Sequence, residues 1–159
     1  MLTRLLPDQI SKLWDIIGYA VEQSLPPIAG DHPDKMNRIL ASALSGKVDV
    51  WVSYVREEKV NKFEGIVLTK FIYDDASGTK NLLIYCLYGY NEISKESWVF
   101  GLKGLVKYAE SKGCSQIIAY SEVPYIIDIV NRLGGDSRYR FISFDVKKIV
   151  EKINNLSEA

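Results

Sequence analysis

Histidine, cysteine and charge of either sign in excess are what this chain has least of. Its 159 residues contain one histidine, His32, and two cysteines, Cys86 and Cys114. With no CxxC and no Cys/His cluster, a structural zinc site is excluded and no metal is expected. The two cysteines stand apart in apolar surroundings, as buried, reduced residues do, which places the chain in the cytoplasm. Twenty Lys and Arg offset twenty Asp and Glu, a formal net charge of +0. That balance lacks the basic field that binding to nucleic acid through its phosphates calls for, so no nucleic-acid partner is expected. No stretch approaches the roughly 18 apolar residues of a membrane span. The start, MLTRLLPDQI, lacks the basic region and apolar run of a signal peptide. Repeats, low-complexity tracts and linkers are missing too. The expectation is one domain over 1–159, its core within 8–146 and a helical or frayed tail over 147–159.

What is present is strongly patterned. Ile10, Leu13, Trp14, Ile17 and Val21 recur at helical spacing after Pro7–Asp8, predicting a helix over roughly 8–23. Pro26, Pro27 and Gly30 break the chain. Pro33 suits the first turn of a second helix, with Met36, Ile39, Leu40, Ala43 and Leu44 on one face and Gly46 as its stop. VDVWVSYV (48–55), EGIVLTKFIYD (64–74) and LLIYCLYGY (82–90) are β-branched and aromatic runs. The charged REEKVNK and the turn-forming DDASGTKN separate them, which implies an antiparallel meander. Ser94 then caps a helix carrying Trp98, Leu102, Leu105, Val106 and Ala109 toward the sheet and ending at Gly113. CSQIIAYSE (114–122) reads as a strand, and a helix between two such strands predicts a right-handed parallel crossover. A helix from Pro124, with Ile126, Ile129, Val130 and Leu133 inward, stops at Gly134–Gly135, and RYRFISFDV (138–146) alternates as a last strand. The fold class is α/β (α+β), a mixed twisted sheet in the order ααβββαβαβ.

That order resembles the GNAT N-acyltransferase superfamily over about residues 8–146. Ser45–Gly46 leading into VDVWVSYV is similar to the family's entry into its meander. Glu64–Gly65–Ile66–Val67 is similar to the start of its next strand, and Arg132–Leu133–Gly134 to the end of its last helix. GLVKYAESKGCSQIIAYS (104–121) resembles its central helix, glycine stop and following strand. The resemblance implies acetyl-CoA or another acyl-CoA as cofactor and an amine as acceptor. It implies a pyrophosphate loop, Arg/Gln-x-x-Gly-x-Gly/Ala, at the start of the central helix, where glycines let backbone amides approach the phosphates. Aligned back from Gly113, the three motif positions hold Ile93, Glu96 and Trp98. None matches: a carboxylate repels phosphate and an indole blocks its approach. The cofactor candidates are thus the loop position itself, Lys95, Glu96, Ser97 and Trp98, together with Tyr88 on the preceding strand.

The family's tyrosine acid, three residues before Leu–Gly of the last helix, is Val130 here, with Tyr125 the nearest substitute; Glu64 is the candidate base. Each has a plainer reading, Tyr125 as a packing residue and Glu64 as a surface carboxylate. Tyr85, Tyr88 and Tyr90 either wall a cleft or pack across strands, and His32 reads as a cap. Two functional readings follow. One is an acyl-CoA-dependent N-acyltransferase with a diverged loop. The other is a GNAT-fold binding or structural module without acyl transfer, of unknown amine or protein partner; LLIYCLYGYNEISKESW resembles compact GNAT-like proteins of phage genomes.

Overall fold

The alternating segments become one five-stranded sheet, here described from a computed structural model covering residues 1–158. Strands β1 (Leu2–Arg4), β2 (Asp49–Glu57), β3 (Val60–Tyr73), β4 (Lys80–Gly89) and β5 (Gln116–Ala119) lie in the order β1-β2-β3-β4-β5. The first three pairings are antiparallel and β4–β5 is parallel, from Asn81↔Gln116 to Ile84↔Ala119. The meander and the parallel crossover expected from the sequence are both present. Strand β1 was not legible, because three residues are too few to show a period. Of REEKVNK only Glu58 and Lys59 form the turn, while its other residues extend β2 and β3.

Helices α1 (Pro7–Lys12), α2 (Trp14–Gln23) and α3 (Lys35–Leu44) cover one face. Ile10, Ile17, Ala20, Val21 and Ala43 pack there on Val50, Val52, Ile66, Leu68 and Cys86. The expected single helix over 8–23 is interrupted at Leu13, whose φ of −101° and ψ of 9° lie outside the helical well. Helix α3 begins at Lys35 rather than at Pro33. Gly46 ends it with φ +82°, a left-handed turn that glycine adopts without Cβ strain. Helix α4 (Lys95–Ser111) covers the other face, where Leu105 joins Trp51 and Val67, flanked by Ile84, Leu87, Tyr108 and Ile117.

The face of α4 is turned slightly from the expected one. Leu105 and Ala109 are buried, but Val106 is 46% exposed and Tyr108 sits against the sheet instead. Tyr108 is fixed there by polar chemistry: its hydroxyl donates to Asp49 Oδ2 at 2.7 Å and accepts from Arg4 Nη1 at 3.2 Å. Its ring meets Trp51 edge-on at 5.0 Å.

The chain divides into two compact units, the first ending at Tyr120 and the second starting at Ser121. The second contains α5 (Pro124–Arg132) and α6 (Val146–Glu158). Residues 138–145 form no strand, contrary to the alternation of RYRFISFDV, so the expected order loses its last β. Two aspartates account for this locally. Asp136 holds the Arg138 amide at 3.0 Å and its guanidinium at 2.7 Å. Asp145 caps α6 by accepting from the Lys148 amide at 3.1 Å, which a strand interior would not allow. Residues 147–158 belong to α6.

Candidate functional site

β4 outruns its parallel partner. Pairing with β5 stops at Ile84↔Ala119, yet β4 continues through Tyr85 to Gly89. The backbone edge of Tyr85–Gly89 on that side is therefore unpaired with β5, and a short loop leads from it to the start of α4. The carboxyl ends of parallel strands are where α/β proteins bind ligands.

Ser94 caps α4 as its sequence predicts, its Oγ accepting from the Ser97 amide at 3.1 Å. The Trp98 amide donates to the Ser94 carbonyl at 3.0 Å. The Ser97 amide, one of the orphan donors of the first turn, is thereby withdrawn from an outside anion, while the Trp98 bond is the first i→i−4 bond of the helix itself. Lys95 and Glu96 are exposed, and Trp98 is half-buried. Ile93, at the first motif position, turns inward over the facing pair Gly65↔Gly89. Its Cδ1 lies 3.2 Å from where a Cβ at Gly89 would stand and 3.4 Å from one at Gly65. A side chain at Gly65 would also meet the Tyr88 carbonyl at 2.7 Å. The glycines that the loop lacks are thus found in the sheet beneath it, where they make room for an isoleucine.

Glu64 is drawn into the same place by a β-bulge. Ser53 faces Gly65 and Tyr54 faces Phe63, so Glu64 is the extra residue between them. Strict alternation with Ile66 and Leu68 would send Glu64 to the α1–α3 face; the bulge re-aims it toward α4. There Oε1 accepts from Ser97 Oγ at 3.1 Å and Oε2 from Ser53 Oγ at 3.1 Å. Two sequence candidates, Glu64 and Ser97, are therefore brought together. Ser53 was missed, and only the bulged register could have revealed it.

The remaining candidates lie elsewhere. A second bulge leaves Tyr85 as the extra residue between Ile84 and Cys86, which puts Tyr85, Tyr88 and Tyr90 on the α1–α3 face together. Tyr88 stands edge-on to Tyr90 at 5.2 Å and to Tyr19 at 6.1 Å, on the opposite side of the sheet from Ser97 and Glu64. Tyr90 donates to the Ile16 carbonyl at 3.3 Å. These tyrosines pack. Tyr125 belongs to the C-terminal unit, half-exposed on the first turn of α5. His32 Nδ1 accepts from the Asp34 amide at 3.0 Å, a turn-capping role. Burial pushes the Cys86 thiol up to about 11, which keeps it protonated and unreactive. Among the described residues, no group of three or more His, Cys, Asp or Glu is placed to hold a metal, and no helix is long and apolar enough to cross a membrane.

Neither a family model nor a curated protein sequence matches the chain. Solved structures do. A predicted acetyltransferase from Clostridium acetobutylicum, solved with acetyl-CoA, has a TM-score of 0.65 at 13% identity, covering 93% of this chain and 97% of its own. An aminoglycoside acetyltransferase from an uncultured soil metagenomic sample, in complex with sisomicin, has 0.65 at 15%, covering 91% and 93%. A Trypanosoma brucei acetyltransferase has 0.61 at 16%, covering 91% and 98%. The chain has the GNAT fold, with a sheet antiparallel through β4 and parallel between β4 and β5.

The Ser97 amide is occupied by the Ser94 hydroxyl, Glu96 and Trp98 stand at the positions aligned with the family's loop glycines, and Ile93 lies over Gly65–Gly89. A further carboxylate, Glu64, stands within hydrogen-bond distance of the same turn.

Proposed function

We propose that this chain is a GNAT-fold protein whose acyl-CoA site has been closed by its own side chains, and that it acts as a binding or structural module without acyl transfer. The observation that carries this reading is the Ser53–Glu64–Ser97 bridge, which sets a carboxylate beside the first turn of α4. The helix dipole is worth about 0.3–1 kcal/mol to an exposed anion. Glu64 stands beside that turn on the Ser97 hydroxyl, and Glu96 adds a second negative charge within it. Lys95 is then the single positive charge of that turn, set against two carboxylates.

A second reading rests on a different observation. The free β4 edge at Tyr85–Gly89 still offers backbone groups to an extended ligand, as an N-acyltransferase with a diverged loop requires. Isothermal titration of the protein with acetyl-CoA separates the two. The expected result is no heat of binding at ligand concentrations up to about 1 mM, equivalent to less than about 4 kcal/mol of affinity. Micromolar binding that weakens when Lys95 or Ser97 is replaced would restore the enzyme, with Glu64 and Tyr125 as the residues to test next.

A further inference from the structure

β1 is the outermost strand of the sheet, with β2 on one side of it and no strand on the other among the described residues. Its register decides what that outer edge offers. The Tyr54 amide donates to the Met1 carbonyl at 2.9 Å, and the Leu5 amide donates to the Val50 carbonyl at 2.8 Å. Met1, Thr3 and Leu5 therefore direct their backbone groups to β2, and the alternation of an antiparallel ladder turns those of Leu2 and Arg4 outward. An edge with outward N–H and C=O groups is a template for a further strand.

The side chains beside that edge are cationic. Arg4 lies over the Trp51 and Tyr108 rings, its Cζ 5.9 and 5.2 Å from their centroids, and Lys112 Nζ stands 5.8 Å from the same Tyr108 ring. Lys80 Nζ is 4.8 Å from the centroid of Phe71, which stacks on Tyr108 at 6.0 Å. The rings steer these three side chains without neutralising them. Among the described residues no carboxylate forms an ion pair with Arg4, Lys80 or Lys112. The neighbouring Asp49 is engaged by the Tyr108 hydroxyl. Leu2, two residues before Arg4 and so on the same face, packs against Trp51, Val67 and Leu105.

We infer that the β1 edge is a docking site for an extended acidic segment of a protein partner, which adds to the sheet as a further strand. Backbone bonds to Leu2 and Arg4 hold such a segment, and its alternate side chains select it. On the α4 side a carboxylate falls beside Arg4 and Lys112, and an apolar residue two positions along falls beside Leu2. The same charge rejects other strands. A second copy of this chain would bring its own Arg4 and Lys112 against these, and like charges facing across strands are unfavourable. The inference holds whether or not acetyl-CoA binds.

Fluorescence anisotropy of a labelled peptide, Thr-Glu-Thr-Val repeated twice, titrated with the full chain tests this. Saturable binding is expected, weakened by about tenfold or more in Arg4→Glu and in Lys112→Glu. The control Lys59→Glu, at the exposed β2–β3 turn, should bind as the wild type does. A peptide with Lys in place of Glu should not bind. Of two N-methylated peptides, one blocked at its Glu and Val amides and the other at its Thr amides, one should lose binding, because only one set of amides faces the edge. No saturation at up to about 1 mM protein overturns the inference. So does equal loss in the Lys59→Glu control, binding of the Lys peptide, or full binding by both methylated peptides. Oligothymidylate that binds more tightly than the acidic peptide would assign the cations to nucleic acid and overturn it as well. Should Arg4→Glu fail to fold, Lys112→Glu and the altered peptides decide.

Discussion

In the N-terminal unit, α4 holds Leu105 and Ala109 at 4% and 6% exposure, whereas in the C-terminal unit Val130 and Leu133 are 37% and 52% exposed. The sequence of α5 is no less amphipathic than that of α4, yet α5 buries no residue. Periodicity states that one face of a helix is apolar; it does not state what covers that face. α4 has a sheet beneath it, with Trp51 and Val67 supplied by the two neighbouring strands. The N-terminal unit is thus a core-building structure on both sheet faces.

The largest expected effect breaks that contrast most directly. Leu105→Ala should cost about 2–5 kcal/mol, as buried leucines do, while Leu133→Ala should stay within about 0.5 kcal/mol. Urea unfolding followed by far-ultraviolet circular dichroism, to which helices of both units contribute, measures both. Equal losses at the two positions would dissolve the distinction. A smaller effect probes the polar bond inside the first unit. Trp51 Nε1 donates to the Oγ1 of Thr69 at 2.9 Å, and Thr69 is fully buried. Trp51→Phe removes the donor and leaves a buried hydroxyl short of a partner, at a cost of about 1–3 kcal/mol. The double variant with Thr69→Val should recover part of that loss, and a failure to do so would mean that ring size is what matters.

The smallest effect is a change in alkaline stability. Burial, with the Asp49 carboxylate accepting its hydrogen bond, pushes the Tyr108 hydroxyl up to about 12. Burial, with Tyr88 nearby, pushes Tyr90 to about 12 as well. Both values lie above the ordinary 10.0, so the folded state favours the neutral form. Their contribution is fully present below pH 10 and is lost as pH rises toward about 12. Melting temperature should therefore fall across that window more steeply for the wild type than for Tyr90→Phe or Tyr108→Phe. Parallel curves would show that the two phenols do not set the slope.

Much of the first unit was legible because its signals are local. Ser94 as a cap, Gly113 as a stop and the β-branched runs on either side of DDASGTKN each carry their meaning within a few residues. Several departures came from information that lies between elements. Val106 exchanged places with Tyr108 because Arg4 and Asp49, distant in sequence, hold the tyrosine hydroxyl. Tyr85 joined Tyr88 on one face only through a bulge, since odd and even positions of a regular strand point apart. Glu64 reached α4 by the same device, so the candidate site was legible as a list of residues but not as a geometry. RYRFISFDV alternated convincingly, but alternation becomes a strand only beside a partner, and Asp136 and Asp145 took their hydrogen bonds locally instead.

The turn between β2 and β3 has a consequence for the order in which the chain folds. Glu58 and Lys59 both adopt left-handed backbone, with φ of +48° and +69°, where a hairpin of this length prefers Asn-Gly. Each non-glycine residue there costs roughly 1–2 kcal/mol, so the hairpin does not nucleate at its tip. It must zip from the Asp49↔Thr69 end, across a longer loop and hence more slowly. Replacing the two residues by Asn-Gly should therefore accelerate refolding in stopped-flow experiments, and an unchanged rate would show that the meander starts elsewhere.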